Sequence, residues 1–277
     1  MLHLILYAEG AVFEDTKQLL INSIKLNTKY EVKIHEFSHK KLIEKYEIYN
    51  YITKLLKSVK DIENIPKRNI HGYRDGCYNY FKPFIINLVL NEINYGDIIY
   101  YCDCSQYFIT GFTENIDNLV DMCISKDAIA GCVGINLIND TYGICDSIKI
   151  ITKIYNILKI KLENEDLMRF LNKTHINNSI LLFKKTDLNI KFTQQWLFLC
   201  TYPFNPKKRK IYNEKDPRYA LKYPIITYHH TVDQSIFNIL VHLYKLPSIV
   251  NRNYNEYELR DRNLVAKIAN LDDLRFF

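Results

Sequence analysis

Apolar runs with the character of strands alternate along this chain with longer segments of helical period. Leu2 to Ala8 is nearly continuous in apolar residues, and Phe13 to Leu26 is amphipathic. The stretch Tyr30 to Phe37 then alternates in the manner of a half-buried strand, which completes a βαβ opening. Ser38 is placed to cap one long helix through about Val59, and Pro66 and the turn-rich His71 to Cys77 mark a loop. Helical spacing returns from Pro83 to Ile93, with Pro83 tolerated in a first turn and Asn94-Tyr95-Gly96 closing the helix.

Ile98 to Cys102 is an unbroken apolar run bounded by polar residues, the pattern of a central strand covered on both faces. A helix over Glu114 to Ser125 and a strand over Ala128 to Val133 continue the alternation. Together these elements predict an α/β fold with an open, mainly parallel central sheet of Rossmann type and helices on both faces. The second half reads as helices at Ile148 to Leu158 and Asp166 to Asn172, a strand at Ser179 to Lys184, and a helix at Thr193 to Cys200. Tyr228 to Ser235 leads into a last helix over Ile236 to Leu246.

Composition narrows the class. With 277 residues, 48% of them hydrophobic, the chain has ample material for a core, and one continuous domain is expected. The balance of 37 lysines and arginines against 31 aspartates and glutamates gives +6, spread along the chain, so nucleic acid is not expected as a partner. The seven cysteines show no zinc-ribbon spacing, which points to a reduced, intracellular compartment. Met1 to Ala8 lacks a basic leader and is too short for a signal peptide, and no stretch approaches the ~18 consecutive apolar residues of a membrane helix.

The chemistry concentrates at strand and helix ends. Asp103 falls where the central strand ends, and ligands of open α/β sheets bind beyond the carboxyl ends of strands. A carboxylate there needs a partner: it either caps the following turn or holds Mg²⁺ or Mn²⁺. Cys102 and Cys104 flank it and would point to the opposite face, which argues against a thiolate site. Asp233 and Gln234 fall in the first turn of a helix, where free N–H groups favour anions; an ordinary N-cap is the plain alternative. Lys82 opens a helix and can donate to an anionic oxygen or stay solvated. Asn177, Asn178 and Ser179 can hydrogen-bond a ligand or simply form a turn. Trp196 is expected in the core.

Four ordered blocks carry a resemblance. Tyr80-Phe-Lys-Pro-Phe-Ile-Ile86 with Leu90 to Asp103, Asn177 to Lys185, Gln195 to Cys200, and His230 to Ser235 resemble a family of small GT-A glycosyltransferases of giant viruses and bacterial glycan clusters, over about residues 70 to 245. The resemblance implies a single GT-A-like domain over 1–277, with a nucleotide-binding half at 1–135 and an acceptor half at 136–277. It also implies a cytoplasmic enzyme, in the host cytoplasm or with the virion, with no membrane anchor. The implied reaction is metal-assisted transfer of a sugar from a nucleotide diphosphate donor, a UDP-sugar above all, to a saccharide or glycoprotein acceptor.

Carried over by position, Asp103 matches the first aspartate of the motif that binds a divalent cation, Mn²⁺ or Mg²⁺, on the donor diphosphate. His230 is a candidate second ligand, to the metal or to phosphate. The resemblance further implies Lys82, Ser105 and Asn178 as candidate donor contacts, Asp233 as candidate base or orienting group, and Gln234 as candidate partner of a sugar hydroxyl. The sequence departs from the family in having Cys104 and Ser105 after the aspartate, so no second carboxylate completes a DxD pair, and in having Asn79 and Phe81 where the family has paired tryptophans. Two alternatives stand beside this expectation: a sugar-nucleotidyltransferase, and an inactive relative that binds carbohydrate or nucleotide sugar.

Overall fold

A computed structural model of the chain describes residues 1–8, 11–58, 80–104, 113–133, 144–166, 176–201 and 232–251. Strand β1 (Leu2–Tyr7) is followed by α1 (Ala11–Leu26) and β2 (Val32–Phe37), as the alternation of the first forty residues predicts. Next come α2 (His39–Lys45), α3 (Glu47–Ser58), α4 (Phe81–Glu92) and β3 (Ile98–Asp103). The chain continues through α5 (Thr113–Lys126), β4 (Ile129–Val133), α6 (Ile144–Ile157) and β5 (Ile176–Lys184). It ends, within the described residues, with α7 (Asp187–Cys200), α8 (Val232–Leu243) and β6 (Ser248–Asn251). The expected helix from Asp166 to Asn172 lies mostly outside the described residues.

The six strands form one open sheet in the order β2-β1-β3-β5-β4-β6. Ladders β1–β2, β1–β3 and β4–β6 are parallel, whereas β5 runs antiparallel to both β3 and β4. The sheet is therefore mixed: three of its five ladders are parallel, and β5 runs against the other five strands. β5 is covered on both faces, and such a strand reads as the same apolar run in either direction; its direction is set by its connections, which leave no local signal.

Alternation along the central strands feeds two cores. Leu2, Leu4, Leu6, Ile98, Tyr100 and Cys102 pack against Leu20 and Ile24 of α1 and Leu119 and Val120 of α5. Ile5, Ile99, Tyr101, Leu181 and Phe183 face the other way, against α4, α7 and α8. Helices thus cover both faces. Trp196, the sole tryptophan, is fully buried in this second core and meets Phe237 edge-on with ring centroids 4.9 Å apart.

The single long helix expected after Ser38 is two helices. Ser38 does cap the first, its hydroxyl accepting from the Lys41 N–H at 3.3 Å, but Tyr46 adopts an extended conformation between them (φ −124°, ψ 101°). The break lets Tyr46 and Tyr49 both pack on Phe84 of α4, at 5.7 and 4.9 Å between centroids. Packing has overridden local helix preference here. Before β3, Gly96 takes a left-handed conformation (φ 88°) in a turn closed by Asp97 N–H to Asn94 C=O at 3.1 Å. No helix among the described residues is long and apolar enough to cross a membrane.

Candidate functional site

The chain passes from β1 outward to β2 and then crosses back to β3 on the other side of β1. The carboxyl ends of β1 and β3 therefore flank a topological switch point, where open α/β sheets bind ligands. Tyr7 and Asp103 are paired in register at that edge, and Tyr7 stacks on Phe81 of α4 with centroids 3.8 Å apart.

Asp103 follows Tyr101 by two positions, so both side chains leave the same face of β3. The Tyr101 hydroxyl donates to Asp103 Oδ1 at 2.5 Å. Burial, reinforced by the negative charge of Asp103, pushes the Tyr101 phenol well above its ordinary range, so it remains a donor. Lys82, in the first turn of α4, reaches the same oxygen with Nζ at 3.2 Å. Its ammonium also lies 3.4 Å from the main-chain oxygen of Asn178, 3.5 Å from Asn178 Oδ1, and 5.3 Å from the centroid of the Tyr101 ring. The pair is asymmetric: the lysine side chain is 7% exposed and the aspartate 33%. Lys82 is thus neither solvated nor presented outward; it is a buried counter-charge beneath Asp103.

Asn178 arrives on β5 through an irregularity. Ile180 belongs to the core under α1 and α5, while Asn178, two positions earlier, bonds groups on the opposite face. Strict alternation would keep both on one side. Between Gly131 and Cys132 of β4 the pairing jumps from Leu181 to Asn177, and this bulge turns Asn178 toward Lys82. Its amide Nδ2 donates in turn to Asp233 Oδ2 in the first turn of α8. The Asp233 main-chain oxygen accepts from the Trp196 indole N–H at 2.9 Å, which ties α7 to the start of α8.

Four residues expected at the site, Lys82, Asp103, Asn178 and Asp233, are therefore joined in one cluster drawn from both halves of the chain. Gln234 lies beside them in α8, partly exposed, its main-chain oxygen accepting from Asn238 Nδ2 at 3.0 Å. Ser105 and His230 lie outside the described residues. Cys102 and Cys104 are buried in the core of the opposite face, as their spacing requires. Tyr101 was not singled out in the sequence, although its place two residues before Asp103 was the signal that could have found it.

Among the described residues no group of three or more His, Cys, Asp or Glu side chains is gathered to hold a metal. The donor set instead offers one carboxylate. Asp103 Oδ1 is taken by Tyr101 and Lys82, and Oδ2 has no partner among the described residues. A single open carboxylate oxygen fits Mg²⁺ or Mn²⁺ of the kind held mainly by substrate phosphates and water. No family model matches the chain, and no curated protein matches it.

Proposed function

We propose that this protein is a GT-A-like glycosyltransferase that takes a sugar from a nucleotide diphosphate donor, a UDP-sugar in the first instance, and passes it to a saccharide or glycoprotein hydroxyl. The observation that carries the reading is Asp103. It stands open at the tip of the central strand, beside the switch point, with its second oxygen unengaged by any described residue.

In this reading the nucleotide lies across the carboxyl ends of β1 and β3, with the stacked Tyr7 and Phe81 forming one wall. Asp103 Oδ2 is the oxygen that would hold a divalent cation, with Ser105 and His230 as further candidate ligands from the sequence. A bound cation supplies Lewis-acid relief for charge on the departing diphosphate. Tyr101 and Lys82 fix the rotamer of Asp103, so the carboxylate is aimed before the donor arrives. The bond from the anomeric carbon to the diphosphate breaks as an acceptor oxygen adds, and the proton of that hydroxyl passes to water. Gln234, partly exposed at the same helix start, would bond a sugar hydroxyl.

The test is release of UDP from a panel of UDP-sugars in the presence of MnCl₂. Steady release, raised by added saccharide acceptors, is the expected result. Saturable UDP-sugar binding with no release would favour a binding protein instead, and transfer of a nucleotidyl group to a sugar phosphate would favour a nucleotidyltransferase.

A further inference from the structure

The cluster at the sheet edge is graded in depth. The Asp103 side chain is 33% exposed, whereas Asn178 is 2% exposed and Asp233 not at all. From outside inward, Asp103 meets Lys82, Lys82 meets Asn178 Oδ1, and Asn178 Nδ2 meets Asp233 Oδ2. A general base must come within about 3 Å of the proton it removes. A carboxylate with no exposed surface and with Asn178 hydrogen-bonded to it is poorly placed for that task.

The amide between the two charges has only one workable orientation. A carboxylate accepts and cannot donate, so Asp233 requires the NH₂ end of Asn178. An ammonium donates and cannot accept, so Lys82 requires the oxygen end. Turning the amide over would set NH₂ against the ammonium and oxygen against the carboxylate, two repulsions in place of two attractions. Asp233 is itself fixed, because its main-chain oxygen holds the Trp196 indole and its place in the first turn of α8 favours a negative charge.

We propose that Asp233 is a positioning residue: it orients the Asn178 amide so that the oxygen faces Lys82, and thereby holds the ammonium under Asp103. The proposal rests on the transferase reading for what Asp103 meets, and it removes the base role from Asp233.

The experiment compares the parent with Asp233→Asn, Asn178→Asp and the double variant Asn178→Asp/Asp233→Asn, reading kcat and donor KM with UDP-glucose, UDP-N-acetylglucosamine and MnCl₂. Asp233→Asn keeps an acceptor oxygen but loses one of the two charges that select the amide's orientation, so its defect is expected in donor KM, by ~3-fold to 10-fold. Asn178→Asp sets two carboxylates face to face; activity is expected to fall ~10-fold or more at neutral pH and to recover on acidification, as the pair takes up a shared proton. The double variant exchanges amide and carboxylate at nearly constant volume and is expected to restore the donor KM at neutral pH. That swap also decides the matter if Asn178→Asp alone fails to fold.

A ~10²-fold or greater loss of kcat in Asp233→Asn, with donor KM unchanged, would overturn the proposal in favour of a base. So would a double variant no better than Asn178→Asp. A parent that neither binds nor splits any UDP-sugar would overturn the transferase reading itself, and this substrate-facing role with it, before any variant is made.

Discussion

Lys82 and Asp103 form an ion pair 3.2 Å long that is closed on the lysine side and open on the aspartate side. The ammonium is directed at protein acceptors and the carboxylate keeps one oxygen for something else. That asymmetry separates this pair from an ordinary surface salt bridge, which contributes little to stability and has no outward-facing group held in one rotamer.

Lys82→Met keeps the unbranched stem in its slot and removes the charge. Asp103 is exposed enough to be solvated without its partner, but the buried Asn178 oxygens lose a donor, so unfolding in denaturant is expected to shift by about 1–3 kcal/mol. Affinity for UDP with Mn²⁺ is expected to fall ~10-fold, equivalent to ~1.4 kcal/mol, because the carboxylate is no longer held in one place. Lys82→Arg should fare no better, since a planar guanidinium does not fit a slot shaped for an ammonium. Unchanged UDP affinity in Lys82→Met would show that the pair plays no part in binding.

Trp196→Phe removes the donor that reaches the Asp233 carbonyl and leaves a void beside Phe237. The expected loss is about 2 kcal/mol, combining one buried hydrogen bond with a modest cavity, measured by circular dichroism in a denaturant titration. A loss below about 0.5 kcal/mol would mean that the junction of α7 and α8 relaxes around the smaller ring.

Toward the amino ends of β1 and β3, His35 Nε2 lies 2.9 Å from His3 Nδ1, and His3 Nε2 lies 3.2 Å from Asp97 Oδ2, while Asp97 Oδ1 meets the amino terminus at 3.1 Å. Since the carboxylate only accepts, His3 Nε2–H donates to Asp97 and His35 Nε2–H donates to His3. Burial, with His3 and Lys33 nearby, pushes His35 down to about 4, and burial lowers His3 as well. Both histidines bind protons more readily in the unfolded chain. The His35 contribution is complete above the ordinary histidine range and is lost as pH falls from about 6.5 toward about 4, and that of His3 is lost in the same direction. The melting temperature is therefore expected to drop across that window, and less steeply in His35→Gln. Coincident profiles for the two proteins would contradict this account.

Much of the site was legible because its parts sit at ends of elements. Asp103 follows an apolar run that can only be a buried strand, and Asp233 precedes an apolar helical spacing. Both positions are fixed by periodicity alone. What periodicity could not supply is depth and facing. Asn177, Asn178 and Ser179 are equivalent in the sequence, and only the bulge opposite Gly131 and Cys132 turns Asn178 toward Lys82. Lys82 reads as a solvated lysine until the fold places Asp103 above it. The reversal of β5 and the short edge strand β6 leave no local signal because direction and edge pairing are set by distant contacts, and the break at Tyr46 is likewise imposed by packing on Phe84.

The claim that Asp103 is the donor-facing group of a nucleotide-sugar transferase is tested most directly by calorimetric titration of UDP into the parent and into Asp103→Asn, each with MnCl₂ and with EDTA. The parent is expected to bind UDP with Mn²⁺ and to lose ~10-fold or more in affinity with EDTA. Asp103→Asn is expected to melt within a few degrees of the parent, since the carboxylate is partly solvated and one of its oxygens has no described partner, and to bind UDP weakly whether or not Mn²⁺ is present. Equal UDP affinity in the two proteins, with the same response to EDTA, would contradict the account.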